Sequence, residues 1–174
     1  NQLFKEFKDK IVLFDSRHYG DKFKNVYRKT NGIEAARLNG VDADTDDLID
    51  LSEIKLYAQK LYDESAKPVF ITRGPRGIVV VVSKGIHQVP GIQILKKLDT
   101  VGAGDTIISA LGLCLAAGLN PPLAAQFANF AAVVTVQKLF QTGTASPAEI
   151  IEISEDADYI YQPQLADDIR QAKY

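Results

Sequence analysis

The sequence predicts an α/β protein with three layers and a mostly parallel sheet. Short apolar runs typical of buried strands alternate along the chain with helical patterns, which is the order that a sheet covered on both faces requires. Glycine-rich turns follow two of these strand-like runs, at the edge of such a sheet where ligands collect. The 174 residues are 46% apolar and 24% charged, which is enough for one well-formed core.

The first half of the chain contains two predicted strands and two predicted helices. Residues 10–17 (KIVLFDSR) have the length and β-branching of a short buried strand. The helix GIEAARLNG ends at Gly40, and a longer helix starts among the capping residues of DADTDD and continues with apolar residues at helical spacing. The second strand is KPVFITRG, residues 67–74.

The second half is predicted to open with a hairpin, since residues 78–89 contain two apolar runs joined at a Lys-Gly pair. Two apolar helices follow, at 104–117 and about 121–138, and the second starts with two prolines. A further helix begins in SPAEIIEI, with Ser146 as its cap.

Composition excludes several classes of function. The net charge is −2, and no basic cluster indicates binding to nucleic acid or to a membrane surface. No apolar run reaches transmembrane length and no signal peptide is recognised, which predicts a cytoplasmic protein. The single cysteine, Cys114, rules out an intrachain disulfide, and together with only His18 and His87 it argues against a structural zinc site.

The most informative stretch is DTVGAGD, in which Gly102, Ala103 and Gly104 deliver Asp105 onto the start of a helix. It is not a Walker A loop, because no Lys-Ser/Thr follows, and it lacks the third glycine of the dinucleotide fingerprint. Either Asp105 caps the helix and the glycines turn the chain, or free amides hold an anion and the carboxylate faces a substrate. The residues alone leave both interpretations open.

Two other stretches also have two interpretations. TRGPRG (72–77) either turns the chain or offers a threonine hydroxyl and glycine amides to a phosphate. Asn31 and Glu34, three residues apart on one helical face, are either a capping pair or a polar pair whose carboxylate holds Mg²⁺ through water. In isolation, the structural interpretation is favoured for both.

Taken in order, these pieces resemble the ribokinase-like (PfkB) family of sugar kinases. The matching motifs are Asn-x-x-Glu, Thr-x-Gly-x-x-Gly, the signature DTVGAGD and an Ala-rich helix carrying Asn129. The resemblance covers about residues 10–155, which correspond to the C-terminal half of a usual member. The N-terminal half, which carries the main sugar-binding residues and the lid strands, is missing. FDSRHYGDKF, FITRGPRG and AAVVTVQKLFQTGTASPAEI are most similar to the heptose-7-phosphate kinase branch, which makes the heptose precursor of lipopolysaccharide.

The resemblance implies a role for each matching residue. Asp105 would be the base that faces the sugar hydroxyl, in front of an anion hole formed by Gly102, Ala103 and Gly104. Glu34 would order Mg²⁺. The residues expected to contact ATP are Asn31 at the phosphates, Thr72, Arg73, Gly74 and Gly77 along the nucleotide, and Asn129 beside the adenine. Asp99 matches a monovalent-cation position, so K⁺ is a further expected cofactor, and the later partners of that position, near Lys138 to Ser146, match less cleanly.

The implied function is transfer of the γ-phosphate of ATP to a sugar hydroxyl, with a heptose 7-phosphate as the expected acceptor. The alternative is a catalytically inactive, truncated nucleotide-binding domain. Expected partners are ATP and a phosphorylated sugar, with a second copy of the chain or a complementing N-terminal half, and neither nucleic acid nor membrane. We assign residues 1–155 to the C-terminal nucleotide-binding and catalytic part of a ribokinase-like domain and residues 156–174 to a tail or linker helix.

Overall fold

The computed structural model describes residues 6–7, 10–94, 98–140 and 144–155. Contacts divide these residues into two compact units. The first unit consists of the described residues up to Arg73 together with Val79–Gln88. The second consists of Gly74–Ile78 and the described residues from Val89 onward. The predicted tail, 156–174, lies outside the described residues.

Within the described residues the strands form one five-stranded sheet in the order in which they occur along the chain. The strands are β1 (Leu13–Phe14), β2 (Tyr27–Asn31), β3 (Val69–Thr72), β4 (Ile78–Val82) and β5 (Gly85–Val89). The pairs β1–β2 and β2–β3 are parallel, with Asn31 opposite Thr72. Only two residues join β4 to β5, a connection that suits antiparallel strands. The sheet is therefore mixed, and the hairpin predicted at 78–89 is confirmed.

Two helices of the first unit lie within its described residues, α1 (Gly32–Leu38) and α2 (Leu51–Ser65). Their apolar faces pack with one face of the sheet in a buried cluster whose members include Ala35, Ile54, Leu61, Val69 and Val79. Alternate strand residues on the other face are also fully buried, such as Phe70 and Val80. Strands buried on both faces explain why β3 and β4 read as continuous apolar runs.

The second unit contains three helices among its described residues, α3 (Ala103–Ala116), α4 (Pro121–Val136) and α5 (Pro147–Glu155). The helices α3 and α4 pack closely, because the buried face of α4 consists mainly of alanines. Asn120 caps α4 by accepting a hydrogen bond from the Leu123 amide at 3.0 Å. Ser146 caps α5 as predicted, since its hydroxyl oxygen lies 3.4 Å from the Glu149 amide. No helix in the described part of the chain has both the length and the apolarity that a membrane span needs.

Candidate active site

The loop Gly102–Asp105, called the anion loop below, presents backbone amides at the start of α3. Gly102 adopts a left-handed conformation (φ +81°), which favours glycine, and accepts the first helical hydrogen bond, from Thr106 N at 3.0 Å. The amides of Gly104 and Asp105 have no acceptor among the described residues. Unpaired amides at the positive end of a helix dipole are well suited to hold a phosphate.

Asp105 lies in the first turn of α3 and does not cap it. The N-cap is Gly102, and the exposed Asp105 carboxylate makes no hydrogen bond with a described residue. Asp105 instead lines a cavity of about 470 Å³ together with Thr106 and Ser109. The hydroxyl oxygen of Thr106 lies 3.0 Å from that of Thr135, which fixes the start of α3 against α4. This geometry disfavours the capping interpretation of Asp105, and the catalytic role stays a prediction.

The remainder of this cavity is mostly apolar. Beyond Asp105, Thr106 and Ser109, its wall includes Leu113, Phe127 and Ile150 from the three helices of the second unit. Leu113 is 67% exposed, an unusual position for a leucine in a helix that is otherwise well packed. A phosphorylated sugar needs polar partners, and the polar side chains of this wall are few: Asp105, Thr106, Ser109 and Thr144.

Asn31 and Glu34 form a capping pair, which is one of the two interpretations of the sequence. The Glu34 amide donates to Asn31 Oδ1 at 2.8 Å, and Glu34 Oε2 accepts from the Asn31 amide at 2.9 Å and from Thr30 Oγ1 at 2.9 Å. The pair keeps further capacity, because Glu34 Oε1 and Asn31 Nδ2 bond no described residue. The structural interpretation is therefore correct as far as it goes, and the roles toward ATP and Mg²⁺ remain predictions.

This carboxylate fits a magnesium ion that arrives with a nucleotide. Mg²⁺ is usually held by one or two carboxylates, several waters and substrate phosphates. No group of three or more His, Cys, Asp or Glu side chains converges on a metal position in the described part of the chain. Glu34, with one free oxygen, suits a water-mediated contact to such an ion.

Some of the residues in the segment 72–77 have a structural role in the fold. Thr72 Oγ1 donates to the carbonyl of Thr30 at 3.3 Å, Arg73 is buried, and residues 74–76 form a 3₁₀ turn. Both Gly74 (φ +57°) and Gly77 (φ +85°) are left-handed. A Cβ on Gly77 would lie 2.5 Å from the Gly91 amide nitrogen, whereas one on Gly74 would meet nothing within 4 Å. Gly77 is therefore required by packing, and Gly74 leaves its backbone open.

Asn129 is buried in α4 and has a structural partner. Its Nδ2 donates to the carbonyl of Pro90 at 2.7 Å, which ties α4 to the segment after β5. The role of Asn129 beside an adenine stays a prediction.

Asp99 is used within the protein. Its Oδ1 accepts from the Val101 amide at 3.0 Å and its Oδ2 from the Phe140 amide at 3.3 Å. Nearby in sequence, the Lys138 ammonium donates to the Thr144 carbonyl. Both Asp99 oxygens thus accept hydrogen bonds from protein donors, and the expected role of Asp99 at K⁺ stays a prediction.

Three ion pairs found among the described residues were not predicted from the sequence, and two of them join residues that are distant in the sequence. Lys138 Nζ lies 2.7 Å from Glu149 Oε1, and the largely buried Lys29 lies 2.7 Å from Asp15 Oδ2. Glu149 carried a usable signal, because a glutamate three residues after a serine cap is the capping-box spacing. Nothing local marks Lys29, since its partner is brought to it by the pairing of β1 with β2.

The predicted residues fall into two groups. In the first unit, Asn31, Glu34 and Thr72 come together at the carboxyl ends of β2 and β3. In the second unit, the anion loop and Asp99 lie together before α3, and Asn129 contacts Pro90.

The sequence comparisons agree with one family. The family model for pfkB family carbohydrate kinases matches residues 26–149. The bifunctional protein HldE of Gluconacetobacter diazotrophicus is 35% identical over 131 residues, which are 74% of this chain and 26% of that protein. HldE of Desulfatibacillum aliphaticivorans is 35% identical over 141 residues, which are 78% of this chain and 27% of that protein. The chain thus spans about a quarter of the length of these relatives.

Solved structures agree on the fold. Phosphofructokinase-2 from Escherichia coli, in complex with potassium, matches 87% of this chain and 50% of its own with a TM-score of 0.72 and 24% identity. Ribokinase from Thermotoga maritima matches 88% of this chain and 52% of its own, also with a TM-score of 0.72, at 21% identity. The predicted ribokinase-like α/β fold is confirmed, with the chain spanning about half the length of these neighbours.

Proposed function

The chain belongs to the pfkB family of carbohydrate kinases, and from this premise we propose that it is the nucleotide-binding and catalytic part of an ATP-dependent sugar kinase. A heptose 7-phosphate is the proposed acceptor, as first indicated by the sequence stretches that resemble that branch. The relatives named HldE support the same branch. ATP with Mg²⁺ is the proposed phosphate donor.

One observation carries the proposal. The Asp105 carboxylate makes no hydrogen bond with the described protein and lies at a cavity wall, beside two amides that also have no acceptor there. Phosphoryl transfer to an alcohol requires a group that accepts the hydroxyl proton. It also requires hydrogen-bond donors that stabilise the negative charge on the transferred phosphoryl group. Here they are adjacent in one helical turn.

The chemistry that these groups would perform is limited to alignment and charge stabilisation. The sugar hydroxyl oxygen forms a bond to the γ-phosphorus as the bond to the bridging oxygen of ADP breaks, and the hydroxyl proton passes to Asp105. The amides of Gly104 and Asp105 would stabilise the charge on the transferred group, with about 2.7–4 kcal/mol per donor as a guide from other oxyanion sites. Mg²⁺, when bound, neutralises charge on the β- and γ-phosphates, and Glu34 would hold it through water.

The alternative is a catalytically inactive, truncated nucleotide-binding domain. The apolar wall of the cavity favours it, because the polar groups that a phosphorylated sugar requires are few on the described side of the site. The kinase proposal instead takes the remaining sugar contacts from a complementing N-terminal half, in line with solved neighbours of which this chain covers about half.

Calorimetry and a turnover assay together test the proposal. Mg–ATP is titrated into the chain, and phosphate transfer to heptose 7-phosphate is measured for the chain alone and with the complementing half of a relative. Binding with transfer supports the kinase, and binding without transfer in either sample supports the inactive alternative. Absence of binding at millimolar Mg–ATP, in a sample shown to be folded, would contradict both.

A further inference from the structure

A lysine ammonium lies where the chain leaves α4 and approaches α5. Lys138 Nζ donates to the carbonyl oxygen of Thr144 and lies 2.7 Å from Glu149 Oε1. The other oxygen, Glu149 Oε2, accepts from the amide and hydroxyl of Ser146 at 2.8 and 2.7 Å. Lys138 therefore ties the end of α4 to the capped start of α5.

The residues on either side of Lys138 are tied to the anion loop by Asp99. The Asp99 amide donates to Val136 O at 2.8 Å, and its Oδ2 accepts from the Phe140 amide at 3.3 Å. Its Oδ1 accepts from Val101, directly before the anion loop, at 3.0 Å. The ammonium and the anion loop are thus connected through the five residues 136–140.

A monovalent cation and the Lys138 ammonium would compete for the same kinds of oxygen. Such an ion binds to carbonyl and carboxylate oxygens, and the solved phosphofructokinase-2 from Escherichia coli is a complex with potassium. In this chain a carbonyl and a carboxylate oxygen already surround an ammonium with the same single positive charge. A second cation close to it would be repelled.

We propose that the ε-ammonium of Lys138 replaces a bound monovalent cation and holds the anion loop in place without K⁺. The inference rests on the proposed function, which gives the anion loop its role. Lys138 lies just beyond the C-terminal end of α4, where the helix dipole favours positive charge. The Lys138 hydrogen bond is the main reason that the pKa of Glu149 falls to about 2, so the carboxylate of this pair is charged at neutral pH.

Thermal unfolding in two salts tests the proposal. The full chain and its Lys138→Met variant are melted in about 0.1 M KCl and in tetramethylammonium chloride of equal ionic strength, so that charge screening is the same. We expect the unaltered chain to have one melting temperature in both salts. In tetramethylammonium chloride, Lys138→Met should melt roughly 2–4 °C lower than the unaltered chain. K⁺ should recover most of that loss by binding the position that the ammonium has left.

Lys60→Met is the matched control, because Lys60 is exposed on α2 and makes no hydrogen bond or ion pair with a described residue. A potassium-specific rise in the melting temperature of the unaltered chain would overturn the proposal. So would a Lys138→Met variant that K⁺ stabilises no more than it stabilises Lys60→Met. If Lys138→Met does not fold, Lys138→Gln takes its place. The melting temperatures of the unaltered chain in the two salts test the proposal in either case. None of these readouts involves phosphoryl transfer, so a failed kinase assay overturns the proposed function alone.

Discussion

The Asp105 carboxylate is exposed at the cavity wall. Replacing it with the neutral amide of asparagine tests whether it accepts the hydroxyl proton. In a kinase that contains this segment, Asp105→Asn should lower turnover by about 10²–10⁴-fold, since a positioned base contributes that much. The affinity for Mg–ATP should change little. The melting temperature should fall only slightly, because the lost charge at a helix start contributes about 0.3–1 kcal/mol.

Asp46→Asn is the control for Asp105→Asn, because Asp46 is an exposed aspartate outside any helix or strand. Turnover and melting temperature are measured on the same preparations. Turnover equal to that of the unaltered protein would remove the catalytic assignment. A large loss of stability with turnover retained would show that Asp105 mainly supports the helix.

Gly102 separates the backbone requirement of the anion loop from its binding role. Gly102 (φ +81°) and Gly118 (φ +85°) are both left-handed, and a side chain in that conformation costs about 1–2 kcal/mol. Both Gly102→Ala and Gly118→Ala should therefore lower the free energy of unfolding by a similar amount. Only Gly102→Ala should weaken Mg–ATP binding, because Gly118 lies beyond the other end of α3. Denaturant unfolding and calorimetry check this, and equal nucleotide affinity in the two variants would contradict phosphate binding at the loop.

The start of α5 should lose stability in acid because of Glu149. Its pKa lies near 2 rather than 4.5, chiefly because of the Lys138 hydrogen bond and then those from Ser146. A lowered pKa in the folded state stabilises the protein above the unfolded value, and this contribution is lost as the pH falls from about 4.5 toward 2. Hydrogen exchange of the α5 amides should therefore accelerate in that range.

Glu149→Gln should flatten this acid dependence of α5, because the amide does not titrate. Glu152→Gln, an exposed glutamate in the same helix, should leave the acid dependence in place. An unchanged acid profile in Glu149→Gln would show that the Lys138–Glu149 pair does not stabilise the start of α5.

Local signals allowed the helices of the second unit to be predicted closely. The predicted helices at 104–117 and about 121–138 correspond to Ala103–Ala116 and Pro121–Val136 in the structure. The two prolines mark the start of the second helix in the sequence itself. The strand predicted at 10–17 is only Leu13–Phe14 in the structure. The length of a strand depends on how much of it finds a partner, and β1 pairs with β2 over two residues.

The role of a site residue could be predicted where it depends on residues adjacent in sequence. It could not be predicted where it depends on residues that only the fold brings near. The order of small residues before Asp105 indicated free amides, but only the structure shows that Gly102, and not Asp105, is the cap. The pairing of Lys138 with Glu149 depends on how the chain returns after α4, which no spacing rule describes. For the same reason, no local pattern predicts that the Lys138 ammonium donates to the Thr144 carbonyl.

The turn between β3 and β4 affects the stability of the molecule as a whole. Gly74→Ala should cost about 1–2 kcal/mol, the penalty of a left-handed side chain with free space around it. Gly77→Ala adds a backbone clash with the segment after β5, where the Gly91 nitrogen would lie 2.5 Å from the new Cβ, and should cost about 3 kcal/mol or more. Denaturant unfolding measures both, and equal losses would show that the 89–91 segment yields to the added methyl group.

The chain passes between its two compact units three times, at Arg73–Gly74, at Ile78–Val79 and at Gln88–Val89. No single peptide bond can therefore be cut so that each unit is released as one intact piece of chain. A protease that cleaves within the β4–β5 hairpin would leave both units with parts on both fragments, and neither fragment would hold a complete fold. The two units are in this sense interlaced along the backbone, and we expect them to be gained and lost together in evolution as well as in unfolding.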